Sequence, residues 1–168
     1  FLTTNLGAEG VGDLLPAHAR NRITVIRTRK PTNVEWVEDF AIDAGIDPTM
    51  IAWVMENPQL FQSFEQVSKP DDNENIFHPG APGRVSFFTP RTAELASHWV
   101  KQREFLSDHE LTAALIGTIG VAAARGLATY IKIGDQMPKL QEIKDTPDTA
   151  KVPANETAVC MVVHRTLQ

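Results

Sequence analysis

This chain is poor in cysteine and in long apolar runs, and each shortage closes a class of explanation. Cys160 is the only cysteine, so an internal disulfide is impossible and a reducing, cytoplasmic compartment is the expected setting. No apolar stretch approaches the length that crosses a bilayer, so no membrane span is expected. Basic residues are outnumbered, 16 Lys and Arg against 21 Asp and Glu. That balance argues against general nucleic-acid binding through a basic surface, and no helix-turn-helix signal offsets it. His18, His78, His98, His109 and His164 show neither HxxxH nor HExxH spacing and have no cysteine partners, so no zinc site is expected. Ser86 and Ser107 lack a GxSxG context. No GxxxxGK[ST] loop occurs, and no apolar strand ends in a pair of acids suited to magnesium. On its own residues the chain lacks the parts that hydrolyse a nucleotide.

What is present suits a globular core. A hydrophobic content of 42% against 22% charged residues is ordinary for a folded domain, and 168 residues allow one domain or two small ones. Residues 1–4 and 23–26 read as two short β-branched or apolar strands. The opening Phe1-Leu2-Thr3-Thr4-Asn5 resembles a strand end and suggests a fragment whose upstream part is missing. Between Asp13 and Glu35 the chain carries Arg20, Arg22, Arg27, Arg29 and Lys30 with no acid. Such a cluster is either a solvated face or an edge that meets an anion.

From residue 32 the pattern turns helical. Thr32 and Glu35 form a capping box, followed by a stripe of Val34, Val37, Phe40, Ala41 and Ala44 that Gly45 stops. Asp47-Pro48 opens a second helix with Ile51, Val54 and Met55 inward, and Asn57-Pro58 closes it. Trp36 and Trp53 read as core or rim packing. Residues 68–86 form a long polar loop, functional or mobile; its acids miss the spacing of a calcium loop, and no metal is expected there. Ser107 or Asp108 caps a later helix with Leu111, Ala114 and Leu115 inward. Gly117, Gly120, Ala123, Ala124 and Ala128 then point to two closely packed helices or one helix kinked at Gly117. Leu140 and Ile143 mark a short helix, and Asn155 caps a last one.

The stretch Phe87-Phe88-Thr89-Pro90-Arg91-Thr92 organises the rest. Thr89 caps a helix and Pro90 fits its first turn, with Leu95, Ala96, Trp99 and Val100 on one face. Arg91 places a cation where the helix dipole favours an anion, a mismatch of roughly 0.3–1 kcal/mol. Pairing with Glu94 three residues on is the plain explanation; a docked phosphate is the functional one.

Taken in order, Thr3-Thr4-Asn5, Gly10-Val11-Gly12-Asp13-Leu14-Leu15-Pro16 and Arg20-Asn21-Arg22-Ile23 resemble the later half of a AAA+ ATPase of the MoxR-like group. Phe88-Thr89-Pro90-Arg91 resembles the start of that family's helical lid, and Gly117-Thr118-Ile119-Gly120 and Gln136-Met137-Pro138 are similar to its members. The resemblance implies a mostly α chain. A remnant of the α/β sheet lies at 1–30, a helical lid at 31–138 and a helical extension at 139–168. It implies catalytic roles for Asn5 as sensor 1 and Arg22 as the arginine finger, with Arg20 the alternative finger. Arg91 becomes the ATP-binding sensor 2. ATP and Mg2+ are the implied cofactors, bound mainly by the absent upstream part, and a hexameric ring is the implied assembly, with its protein target unspecified. The other reading is a helical interaction module with no nucleotide role, presenting Trp36, Trp53 and the 68–86 loop to a partner.

Overall fold

The computed structural model describes Arg22, Thr24, residues 28–135, residues 140–150 and Val159. The described residues are mostly helical, 62% with six α-helices, and there is no strand among them. The expected strands at 1–4 and 23–26 lie outside the described residues apart from Thr24, as do the Asn155 cap and Cys160. The helices are α1 (Asn33–Trp36), α2 (Pro48–Glu56), α3 (Pro90–Lys101), α4 (Asp108–Ile119), α5 (Val121–Asp135) and α6 (Leu140–Asp145). Among the described residues none is long and apolar enough to cross a membrane.

Local chemistry sets each boundary. Thr32 Oγ1 accepts from the Glu35 backbone while Glu35 accepts from the Thr32 N–H, closing the expected capping box. α1 widens into a π-helical turn over Val37–Ala41. The turn then closes with Ile46 N–H donating to Ala41 and Gly45 N–H donating to Ile42, with Gly45 at φ +64°. That bond pair is a Schellman motif, which needs a residue free to take positive φ. Asp47 caps α2 through Thr49 N–H, with Pro48 in the first turn. Ser107 and Glu110 cap α4 reciprocally. α4 and α5 are separate helices that break at Gly120, at φ +85°, rather than one helix kinked at Gly117.

The core lies where α2, α3, α4 and α5 meet. An aromatic chain runs through it: Trp36 to Phe61 at 5.6 Å between centroids, Phe61 to Phe88 at 5.6 Å, and Phe88 to Trp53 at 5.9 Å. Edge-to-face and tilted rings at these separations add to plain burial. The inward faces differ from the expected stripes. α3 buries Ala93, Ala96, Ser97 and Val100 and leaves Leu95 and Trp99 outside. α2 buries Met50, Trp53 and Val54, with Met55 exposed, and Val34 and Phe40 are exposed near α1. The cause is close approach: small Ala93 and Ala96 let α3 sit near its neighbours, which turns its larger apolar groups to the flank. Ser97 is inward because its hydroxyl accepts a 2.8 Å bond from Asp47 N–H, so a buried polar atom is satisfied. Arg103 closes the same knot through Asp47 at 3.3 Å and the Val100 carbonyl at 2.9 Å.

Candidate functional site

The segment between α2 and α3 has little repetitive structure, yet it is firmly fastened. Arg84 donates to the carbonyls of Pro70, Asn73 and Ile76 at 2.6, 3.2 and 3.0 Å. Asn73 is buried and donates to the Gln59 carbonyl and to Gln62 Oε1 at 2.8 and 2.9 Å. Ile76 is buried beneath this network, and Phe88 N–H donates to the Asn75 carbonyl. A guanidinium with its donors in a fixed plane is well suited to gathering several carbonyls. Neither Arg84 nor Asn73 carries a sequence signal for this work, because the partners are backbone atoms that composition does not reveal.

The segment delivers the chain to α3 in a defined pose. Thr89 Oγ1 accepts from Thr92 N–H at 3.1 Å, and Thr92 Oγ1 accepts from Thr89 N–H at 2.7 Å. Pro90 is the first residue of the helix, and no acidic residue stands in its first turn. Arg91 is exposed there. It makes no ion pair or side-chain hydrogen bond among the described residues, and the pairing with Glu94 does not form. Its guanidinium is therefore available beside a helix N-terminus, where positive partial charge already gathers.

Arg22 is exposed in a turn and likewise has no ion pair among the described residues. Asn5 and Arg20 lie outside the described residues. The structure shows no contact between Arg22 and Arg91. The cluster that contains Arg22 divides by role. Arg29 pairs with Glu35, 2.7 Å from Nη1 to Oε2, and this guanidinium holds the Glu35 carboxyl at about 2. Lys30 instead turns inward, donating to the carbonyls of Leu60 and Gln62 at 3.1 and 2.9 Å with its ammonium 5.7 Å from the Phe61 ring centroid. Burial lowers its pKa to about 8 because desolvation disfavours the charged form. Arg29 and Lys30 are thus structural members of the cluster.

Trp36 and Trp53 are each 4% exposed and offer no platform to a partner. The exposed tryptophan is Trp99, which the helical pattern had turned inward. With Leu95 it borders a groove of about 580 Å³ whose other walls include Val85, Phe87, His98 and Thr118. Among the described residues no group of His, Cys, Asp and Glu is arranged to hold a metal ion. No protein-family model, curated protein or solved structure matches the chain.

Proposed function

We propose that this chain is the C-terminal half of a MoxR-like AAA+ ATPase, which couples ATP binding and hydrolysis to the remodelling of a protein complex. The observation that carries the reading is Arg91: an exposed, unpaired arginine in the first turn of α3, in a helical domain entered through a Thr-Pro cap. Its planar, permanently charged donors fit phosphate oxygens. Arg22, exposed and free of ion pairs among the described residues, has the availability that a finger reaching into a neighbouring subunit requires. Arg20 is the alternative finger and Asn5 the sensor beside the attacking water. In this reading another part of the parent supplies the phosphate-cradling loop and the acids for magnesium, neither of which is in this sequence. ATP with Mg2+ supplies the phosphoryl group and its driving force. In this reading the present chain contributes charge at two places, Arg91 within its own subunit and Arg22 across a subunit boundary of a hexameric ring.

The test is Arg22→Ala in the intact parent. Nucleotide binding should remain, and turnover should fall by about 10³-fold or more, the range a trans arginine contributes. Unchanged turnover in both Arg22→Ala and Arg20→Ala overturns the finger assignment. It then favours the second reading, a helical interaction module without nucleotide chemistry, which the exposed groove beside Trp99 supports and the buried Trp36 and Trp53 do not.

A further inference from the structure

The groove beside α3 has features that together specify an occupant. Its apolar walls are unusually bare: Val85 is 98% exposed, Leu95 50% and Trp99 43%. Scattered apolar side chains at a surface need no explanation, but three bordering one depression do. The irregular strip along one wall also has unused backbone capacity. Among the described residues nothing accepts a hydrogen bond from the N–H groups of Val85, Ser86 or Phe87. Unpaired N–H groups beside an apolar pocket suit a peptide backbone, which supplies carbonyls at regular intervals.

Charge narrows the choice. No carboxylate lines the groove, although the chain as a whole carries a net charge of -5. Arg91, Leu95 and Trp99 follow one another at four-residue spacing, so they occupy one side of α3. An unpaired cation therefore continues the line of apolar groups toward the helix N-terminus. We infer that this groove binds a peptide segment of a protein partner, with a bulky apolar side chain seated between Leu95 and Trp99, its backbone carbonyls on the 85–87 strip, and an acidic residue toward Arg91. A second copy of this chain is the less suited occupant, because no carboxylate lines its groove to meet the other copy's Arg91.

This inference shares Arg91 with the ATPase reading, but its contacts at Leu95, Trp99 and residues 85–87 do not enter that reading, and the test separates the two. A phage-displayed library of random octapeptides is panned against the 168-residue chain and counter-selected on its Trp99→Ala variant. The expected survivors carry a bulky apolar residue within a few positions of Asp or Glu. A fluorescein-labelled survivor is then titrated by anisotropy. Trp99→Ala and Leu95→Asp should each weaken binding by about tenfold or more, as truncation of a central anchor does. N-methylation of the peptide backbone leaves its carbonyls in place and should weaken binding less than either substitution. Arg91→Ala should cost less than the anchors and should flatten the salt dependence. Both anchor positions are half exposed, and unchanged thermal melting confirms that each variant is folded; Val85→Asp replaces either one that is not.

No enrichment over the counter-selected variant overturns the inference, as do survivors rich in Lys and Arg or survivors indifferent to Trp99 and Leu95. Concentration-dependent dimerisation that Trp99→Ala abolishes, seen by sedimentation velocity, overturns it in favour of a second copy. Turnover in Arg22→Ala does not enter the readout, so either proposal can fail while the other stands.

Discussion

Two regions of this molecule reach order by opposite means. The helical bundle is held by shape: Val54, Phe88, Leu115, Ile119 and Leu127 are almost wholly buried and carry no side-chain polar atom. The segment from Lys69 to Phe87 is held by addressable polar bonds. Arg84 gathers three carbonyls, and Asn73 ties the segment to Gln59 and Gln62. A long stretch without regular structure is commonly mobile, and here one guanidinium and one amide replace the missing backbone ladder. The groove wall at 85–87 is thus positioned by fasteners outside the core, so the wall and the core can be weakened separately.

The largest effect is expected where the two regions join. Phe88 is fully buried, contacts the rings of Phe61 and Trp53, and its N–H holds Asn75. Phe88→Ala should cost about 3–5 kcal/mol, measured by urea denaturation, and should loosen both regions together. Loss confined to one region would show that Phe88 does not join them. Arg84→Met keeps the apolar stem and removes the three carbonyl bonds. It should cost about 1–3 kcal/mol, with amide exchange rising in residues 69–88 while α4 and α5 stay protected. Equal loss of protection in both helices would show that the segment is a limb of the core.

The smallest effect is expected beside the anchor of the polar segment, where Lys30 closes on Leu60 and Gln62 next to the Asn73 bonds. Lys30 has its pKa lowered from 10.5 to about 8 by burial, so between those pH values the unfolded chain binds more protons than the folded one. Stability should therefore rise with pH across that window, as the buried ammonium loses its charge. The gain is about 1–2 kcal/mol once solvent screening of the partly exposed group is allowed for. Lys30→Met should flatten the rise in denaturation midpoint between pH 8 and 10.5. A rise that persists in Lys30→Met would place its origin elsewhere.

Boundaries were legible in the sequence because caps are local. Thr32 with Glu35, Asp47-Pro48, Thr89-Pro90 and Ser107 each announce a helix start through atoms within three residues of one another. Facing was less legible. Hydropathy favoured Leu95 and Trp99 over Ala93 and Ser97, yet the structure buries the small residues and leaves the large ones at the flank. Close helix contact selects for size as well as for polarity, and that selection depends on neighbours distant in sequence. The position of Arg91 could be read from Thr89-Pro90 alone. Its freedom from Glu94 could not, because an ion pair at helical spacing is permitted by the sequence whether or not it forms. The polar clamps of Arg84 and Lys30 were equally hidden, since both close on carbonyl groups that every residue possesses.

Gly120 joins α4 to α5 at φ +85°, and a β-carbon placed there would stand 2.6 Å from the Ser86 carbonyl oxygen. Ser86 Oγ meanwhile donates to the Ile116 carbonyl at 2.6 Å. The strip at residue 86 and the elbow between α4 and α5 therefore sit in direct contact, with no room between them for a side chain. A side chain at residue 120 would have to displace the Ser86 carbonyl, and with it one wall of the groove.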